Sequence, residues 1–338
     1  MSEKLKIISE KPIIAFKSAL LSVYSSLKIL NWVQMEQKTC AHSNIRRDNM
    51  ITERYVQEYI KRYQLPVDGM TYQWDVIRKP QQPDIFFQLF TPPKIDRTVL
   101  FLHGYFDHAA TNAAFIEYLL NKDIRVAVFD LPGHGLSEGK RHEISSFQTY
   151  QVSLHEVLAY LKSLNITELA AIGHSTGAAI LAEYVLLNGQ SFQKLSLISP
   201  LLRTSQWWTS KYAAPLIHMF SNELPRKFKA GAVEEEFLHR LKNDPLQGKA
   251  VYLNWVSALV KWEKKFNGYT GSFQPVQILQ GTKDTTVSWR QNMLLYKKLF
   301  PAAEQILIDN GRHHLLNEKP SLKDLTFHLL LQYHLKSS

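Results

Sequence analysis

The chain has 338 residues, of which 45% are hydrophobic and 21% charged, enough to bury one large core and too well balanced for wholesale disorder. Lys and Arg total 40 against 30 Asp and Glu, a formal charge of +10 that suits anionic surfaces; with no Lys/Arg tract or zinc-finger spacing, nucleic acid is not an expected partner. The single cysteine, Cys40, excludes an internal disulfide framework and a multi-cysteine zinc site and fits a reducing, cytoplasmic compartment.

Residues 1–65 read as a separate N-terminal helical segment. Ile13, Phe16, Leu20, Val23, Leu27 and Leu30 recur at steps of three and four, one stripe of an amphipathic helix. Lys17, Ser18, Ser22, Ser25 and Lys28 interrupt the apolar run, so it has neither the core of a secretory signal nor the roughly 20 apolar residues of a membrane span. Such a stripe needs a cover: the rest of the chain, a partner helix, or a headgroup layer touched peripherally.

From residue 70 to the end, 66–338 being taken as one domain, short apolar runs alternate with longer helical patterns, the grammar of a wound α/β sheet. Met70–Arg78 and Ile85–Phe90, joined by the turn-prone Lys79–Pro83, predict an antiparallel hairpin. Thr98–His103, Ile124–Asp130, Leu169–Gly173, Lys194–Ser199, Val276–Gln280 and Gln305–Ile308 predict strands buried on both faces. Helices are expected over Ala110–Asn121, Phe147–Leu164, Thr176–Leu187, Trp289–Leu299 and Leu322–His334. Residues 201–270 break the alternation: they carry Trp207, Trp208, Met219, Phe220, Trp255 and Trp262 but no buried strand. They read as a helical cap over the carboxyl edge of the sheet, where such folds place ligands.

Gly173-His174-Ser175-Thr176-Gly177 follows an apolar strand and precedes an Ala- and Leu-rich helix, the strand-turn-helix context in which G-x-S-x-G forms a nucleophile elbow. Ser175 is the candidate nucleophile, and a serine hydroxyl needs a base to take its proton and a carboxylate to orient that base. In the chain order Ser, Asp, His, Asp284 stands in the loop after Val276–Gln280 and His313 in the loop after Gln305–Ile308. His314 and Asp309 are the local alternatives. The Thr176 amide and the Tyr105 amide, the latter aimed by the turn at Gly104, are the candidate oxyanion donors. His103, Asp107 and His108 cluster, as do His313 and His314, but neither group has the helical histidine spacing of zinc proteases. No metal or cofactor is expected in the chemistry.

With these residues in place, the chain resembles the monoacylglycerol lipase and bacterial lysophospholipase branch of the α/β hydrolases, the serine aminopeptidase-like group. The resemblance rests on Leu102-His103-Gly104, on Phe129-Asp130-Leu131-Pro132-Gly133-His134-Gly135-Leu136-Ser137-Glu138-Gly139, and on the elbow. His313-His314-Leu315-Leu316-Asn317-Glu318 is similar to the H-x-L-x-x-E of that group with His313 in the base position. The resemblance covers residues 70 to 335. It implies an α/β-hydrolase fold, a mostly parallel central sheet with helices on both faces and a helical cap. It further implies hydrolysis of carboxylic esters, with lipid-like monoacyl esters as substrates. Peptidases and thioesterases use the same triad under a different cap, and a non-catalytic hydrolase-like binding protein is the reading from another class. Asp130, His134 and Ser137 read as structural, members of a glycine-dependent turn leaving a strand.

Overall fold

The computed structural model describes residues 51–226 and 235–335; the amphipathic stripe Ile13–Leu30 lies outside them. The polypeptide divides between Glu53 and Arg54, and the second unit, Arg54–Ser338, carries the sheet and the site.

Eight strands form one sheet: β1 (Thr71–Ile77), β2 (Ile85–Thr91), β3 (Arg97–Leu102), β4 (Ile124–Phe129), β5 (Ala170–His174), β6 (Leu195–Ile198), and, after the cap, β9 (Val276–Gly281) and β10 (Glu304–Ile308). Their order is β1-β2-β4-β3-β5-β6-β9-β10. The expected hairpin forms, Thr71 pairing with Thr91 and Ile77 with Ile85, and β2 runs antiparallel to β4. From β4 through β10 every pairing is parallel. Six parallel strands therefore present their carboxyl ends at one edge, with β5 near the middle.

The helices cover both faces because side chains alternate along each strand. Leu100 and Leu102 join Leu154, Leu181 and Val185 in one core cluster, while Phe101 between them meets Phe115 edge-on across the other face, ring centroids 5.5 Å apart. On the first face lie α3 (Gln148–Ser163) and α4 (Thr176–Asn188); on the second, α2 (Ala113–Leu120) packs beside α9 (Pro320–Leu335). A further body helix, α8 (Trp289–Leu299), contributes Tyr296 and Leu299 to the first-face core.

One expectation needs correction. The body begins twelve or so residues before the boundary drawn at 65/66: helix α1 (Glu53–Tyr63) buries Val56, Tyr59 and Ile60, Tyr59 meets Phe86 of β2 at 6.1 Å, and the Tyr63 hydroxyl donates to Asp244 at 2.6 Å. Strand grammar starting at residue 70 marks the first strand, not the first residue of the body. Within the cap, α5 (Ala214–His218), α6 (Glu235–Lys242) and α7 (Leu253–Phe266) are joined by a short antiparallel ribbon, β7 (Glu223–Pro225) with β8 (Ala250–Tyr252). Three-residue strands leave no periodicity in a sequence. Among the described residues, no helix is long and apolar enough to cross a membrane.

Candidate active site

The turn between β5 and α4 is too tight for side chains on either flank. A Cβ on Gly173 would sit 2.6 Å from the Ala178 nitrogen, and one on Gly177 would sit 2.3 Å from the Leu102 carbonyl oxygen, both far inside van der Waals contact. Between them Ser175 takes φ 52° and ψ −110°, a conformation that L residues rarely adopt and that surrounding structure must hold. The hold is visible: the Ser175 N–H donates to Ile198 O at 2.8 Å, and its carbonyl accepts from Leu201 and Ala179, both at 3.1 Å.

The parallel order brings the loops after β9 and β10 to the same edge. His313 lies between its two expected partners, with Nδ1 2.7 Å from Asp284 Oδ2 and Nε2 2.9 Å from Ser175 Oγ. An ionised carboxylate only accepts, so Nδ1 carries the proton and Nε2 presents its lone pair to the serine hydroxyl. Asp284 is itself fixed: the Thr286 and Val287 amides donate to Oδ1 at 2.7 and 3.1 Å, and Gln280 Nε2 donates to Oδ2 at 3.1 Å. Burial pushes the Asp284 carboxyl up, but His313 and these amides outweigh it and hold the group below the usual aspartate value. Asp309 is engaged elsewhere, accepting from Thr282 and Asn310. His314, set at 89° to His313, packs on Phe237 and His174 instead.

Thr176 opens α4, so its N–H has no carbonyl one turn back to donate to. Gly104 presses against the elbow, a Cβ there falling 3.1 Å from Ser175 Cβ, which sets the peptide leading to Tyr105 beside the nucleophile. The Tyr105 ring stacks on Trp255 of the cap at 3.9 Å and its hydroxyl donates to His142 O at 2.8 Å. Asp130 steadies the same loop: its two carboxylate oxygens accept the Ala109 and Leu136 amides, each at 2.8 Å. Ser137 Oγ accepts from the Phe86 amide at 2.9 Å, and His103 Nε2 accepts from the Leu131 amide at 2.9 Å. These groups build the turn and leave Ser175 to its own partners.

Cap aromatics divide by burial. Trp207, Trp255 and Trp262 are buried, Trp262 stacking on Phe147 of the body at 4.8 Å, whereas Trp208, Met219 and Phe220 are exposed. Sequence patterning missed the ties that seat the cap, above all Asp244, which bonds both Tyr63 and His108 Nε2, the latter at 2.8 Å. It also missed a third grouping, Asp107, His174 and His314, drawn from three separate segments. A polar cleft of about 780 Å³ opens at the opposite edge of the sheet, between Arg97, Arg125 and Lys194, and touches none of the site residues.

A family model described as "Serine aminopeptidase, S33" matches residues 93–320, well over half of the chain and every element that bears the site. This chain is an α/β hydrolase of the serine aminopeptidase family. Human monoglyceride lipase is 24% identical to this hydrolase over 262 residues, spanning 72% of this chain and 84% of that one. Its fold is shared by a soluble variant of monoglyceride lipase from Saccharomyces cerevisiae, with a TM-score of 0.65 at 16% identity, covering 77% of this chain and 93% of that one. The monoacylglycerol lipase of Paleococcus ferrophilus superposes with a TM-score of 0.63 at 18% identity, covering 74% and 97%. The expected fold is thus borne out in sheet, cap and family.

Proposed function

We propose that this hydrolase cleaves carboxylic esters of single-chain lipids, monoacylglycerol or lysophospholipid, through an acyl-enzyme on Ser175. The observation that carries the reading is the unbroken hydrogen-bond chain from Asp284 through His313 to Ser175. In the first half-reaction Ser175 Oγ attacks the ester carbonyl carbon as His313 Nε2 takes its proton. The carbonyl oxygen becomes an oxyanion facing the Thr176 and Tyr105 amides, and its collapse breaks the C–O bond as His313 hands the proton to the departing alcohol. Water then attacks the acyl carbon with His313 again as base, releasing the fatty acid and restoring the serine.

Two features favour a lipid over a soluble ester. The relatives that span most of the chain are named for monoglycerides, and the cap presents Trp208, Met219 and Phe220 at 66%, 75% and 87% exposure, close in sequence to Lys211. Large apolar side chains so exposed, beside a cation, fit contact with a headgroup layer from which a single-chain lipid is drawn.

The test has two arms. A fluorophosphonate probe is expected to label the native protein at Ser175 and to leave Ser175→Ala unlabelled; unlabelled native protein would return the chain to a non-catalytic binding role. Rates on monoacylglycerol, lysophospholipid, short nitrophenyl esters and aminoacyl amides are then compared. Monoacyl lipids are expected to be preferred, and faster cleavage of the amides rejects the lipid reading.

A further inference from the structure

We infer that Asp107, His174 and His314 form a binding site for a divalent transition cation of the zinc type, placed directly behind the nucleophile and base, and that its occupation switches hydrolysis off. Among the described residues, one donor atom from each of the three lies within 4.8 Å of the other two. Asp107 and His174 are almost wholly buried, at 1% and 2% exposure.

The geometry leaves the Nδ1 atoms of His174 and His314 buried without a hydrogen-bond partner. His174 Nε2 lies 3.1 Å from the carbonyl oxygen of His313. A carbonyl can only accept, so Nε2 carries a proton and Nδ1 is the nitrogen turned toward Asp107. That Nδ1 has no hydrogen-bond partner and stands 3.7 Å from Asp107 Oδ2, too far for a hydrogen bond. Nδ1 of His314 is likewise buried and unpartnered. Two unpartnered imidazole nitrogens and a carboxylate around one buried gap offer three ligand atoms to a single cation.

Size and chemistry select the cation. Two ligands of a tetrahedral zinc ion at about 2.0 Å each sit about 3.3 Å apart, so the His174–Asp107 gap of 3.7 Å closes slightly, while the widest separation in the cluster, within 4.8 Å, closes by up to about 1.5 Å as the ion is bound. Two imidazoles and one carboxylate suit zinc and its neighbours rather than magnesium or calcium, which take mostly oxygen. Outer contacts are in place: Asp107 accepts from the Thr111 hydroxyl and from Asn112, and His174 is oriented by the His313 carbonyl. Arg226 of the cap lies close enough to Asp107 for its charge to be felt, and it opposes the cation.

Inhibition follows from the neighbours. His174 precedes Ser175 and His314 follows His313, so drawing both imidazoles onto one ion shifts the backbone that carries the hydroxyl and the base and disrupts attack geometry. The binding claim stands on the cluster alone; the inhibition rests on the proposed hydrolysis.

Zinc(II) is titrated into the full-length protein and into Ser175→Ala, His314→Gln, Asp107→Asn and His155→Gln, followed by calorimetry without substrate. One tight equivalent is expected in wild type, Ser175→Ala and His155→Gln, with affinity reduced about tenfold or more in His314→Gln and in Asp107→Asn. Cobalt(II) in the same site is expected to give the visible bands of a four-coordinate ion. No tight equivalent in wild type overturns the site, as does wild-type affinity in either cluster variant shown to be folded by circular dichroism. Loss in His155→Gln assigns the binding to exposed histidines and overturns it too. Ester hydrolysis by wild type is expected to fall at the zinc concentration that half-fills the site and to return with chelator. Zinc bound without any hydrolase activity under any condition keeps the site and rejects the ester-hydrolysis reading instead.

Discussion

His313 and His314 are neighbours in the chain whose rings stand 5.3 Å apart and nearly perpendicular, and that single turn of backbone separates their chemistry. One imidazole joins Asp284 to Ser175; the other turns to Phe237 and His174. Burial, then the adjacent His174 and His313, hold the His314 imidazole far below its usual value, so it stays neutral and takes no part as an acid at ordinary pH. Asp284 has the complementary task of keeping the Nδ1 proton on His313. Asparagine at 284 can still accept the Thr286 and Val287 amides, yet its NH₂ facing Nδ1 favours the wrong tautomer. Asp284→Asn is therefore expected to lower kcat on the order of 10⁴-fold with little change in melting temperature. Steady-state rates and thermal unfolding of the purified variant check this, and a loss under tenfold would mean that Asp284 does not orient the base.

At the scale of elements, the strand-turn-strand architecture was legible wherever a local pattern carried it. Val276–Gln280 read as a buried run and is β9; Trp289–Leu299 coincides with α8; strand ends and chain order pointed to Ser175, to Asp284 and to the pair His313 and His314, and only the family resemblance put His313 ahead of His314. What periodicity cannot report is pairing at a distance. Nothing local places β4 between β2 and β3, seats α1 on the body through Tyr59 and Tyr63, or joins Asp107 to His174. The turn after β4 is where a long motif and a tertiary constraint coincide. Gly135 adopts φ +49°, and a Cβ there would fall 2.0 Å from Asp130 Oδ2. Gly135→Ala must combine a left-handed backbone with a displaced carboxylate, and that carboxylate secures the Ala109 and Leu136 amides. A loss of more than about 3 kcal/mol is expected, since charge-assisted bonds to buried amides weaken together with the strain. Activity should fall as well, because Ala109 ends the loop that carries Tyr105. Chemical denaturation gives the first number and kcat/KM the second; a stability change under about 1 kcal/mol refutes the assignment of this turn as a fixed strut.

Across the whole molecule, histidines buried at widely separated places share one electrostatic fate. His134 and His142 stack at 4.5 Å beneath the cap, and His334 of α9 sits under the sheet with Nε2 2.9 Å from Ser196 Oγ. All three are buried. Burial is the chief cause that lowers each imidazole, with a neighbouring histidine and then Arg141 adding to it at His134 and His142, and Arg97 and Lys194 at His334; His334 falls from 6.5 to about 3, and the other two are also strongly depressed. A folded-state value below the unfolded one means that the unfolded chain binds more protons throughout the interval between them. Stability is then fully present above about 6.5, the unfolded value, and declines as pH falls toward the folded values. One unit below 6.5, each such histidine costs about 1.4 kcal/mol. Asp284, held low in the folded state, adds its own loss only further down, below the ordinary aspartate range. Protonation also raises a charge that is already +10 with neutral histidines, so self-repulsion acts in the same direction. The melting temperature is expected to hold steady from pH 8 to about 7 and to drop steeply between about 6.5 and 4.5. Scanning calorimetry across that range tests it, and His334→Gln should make the drop shallower; a melting temperature constant down to pH 5 contradicts the buried, neutral state of these rings.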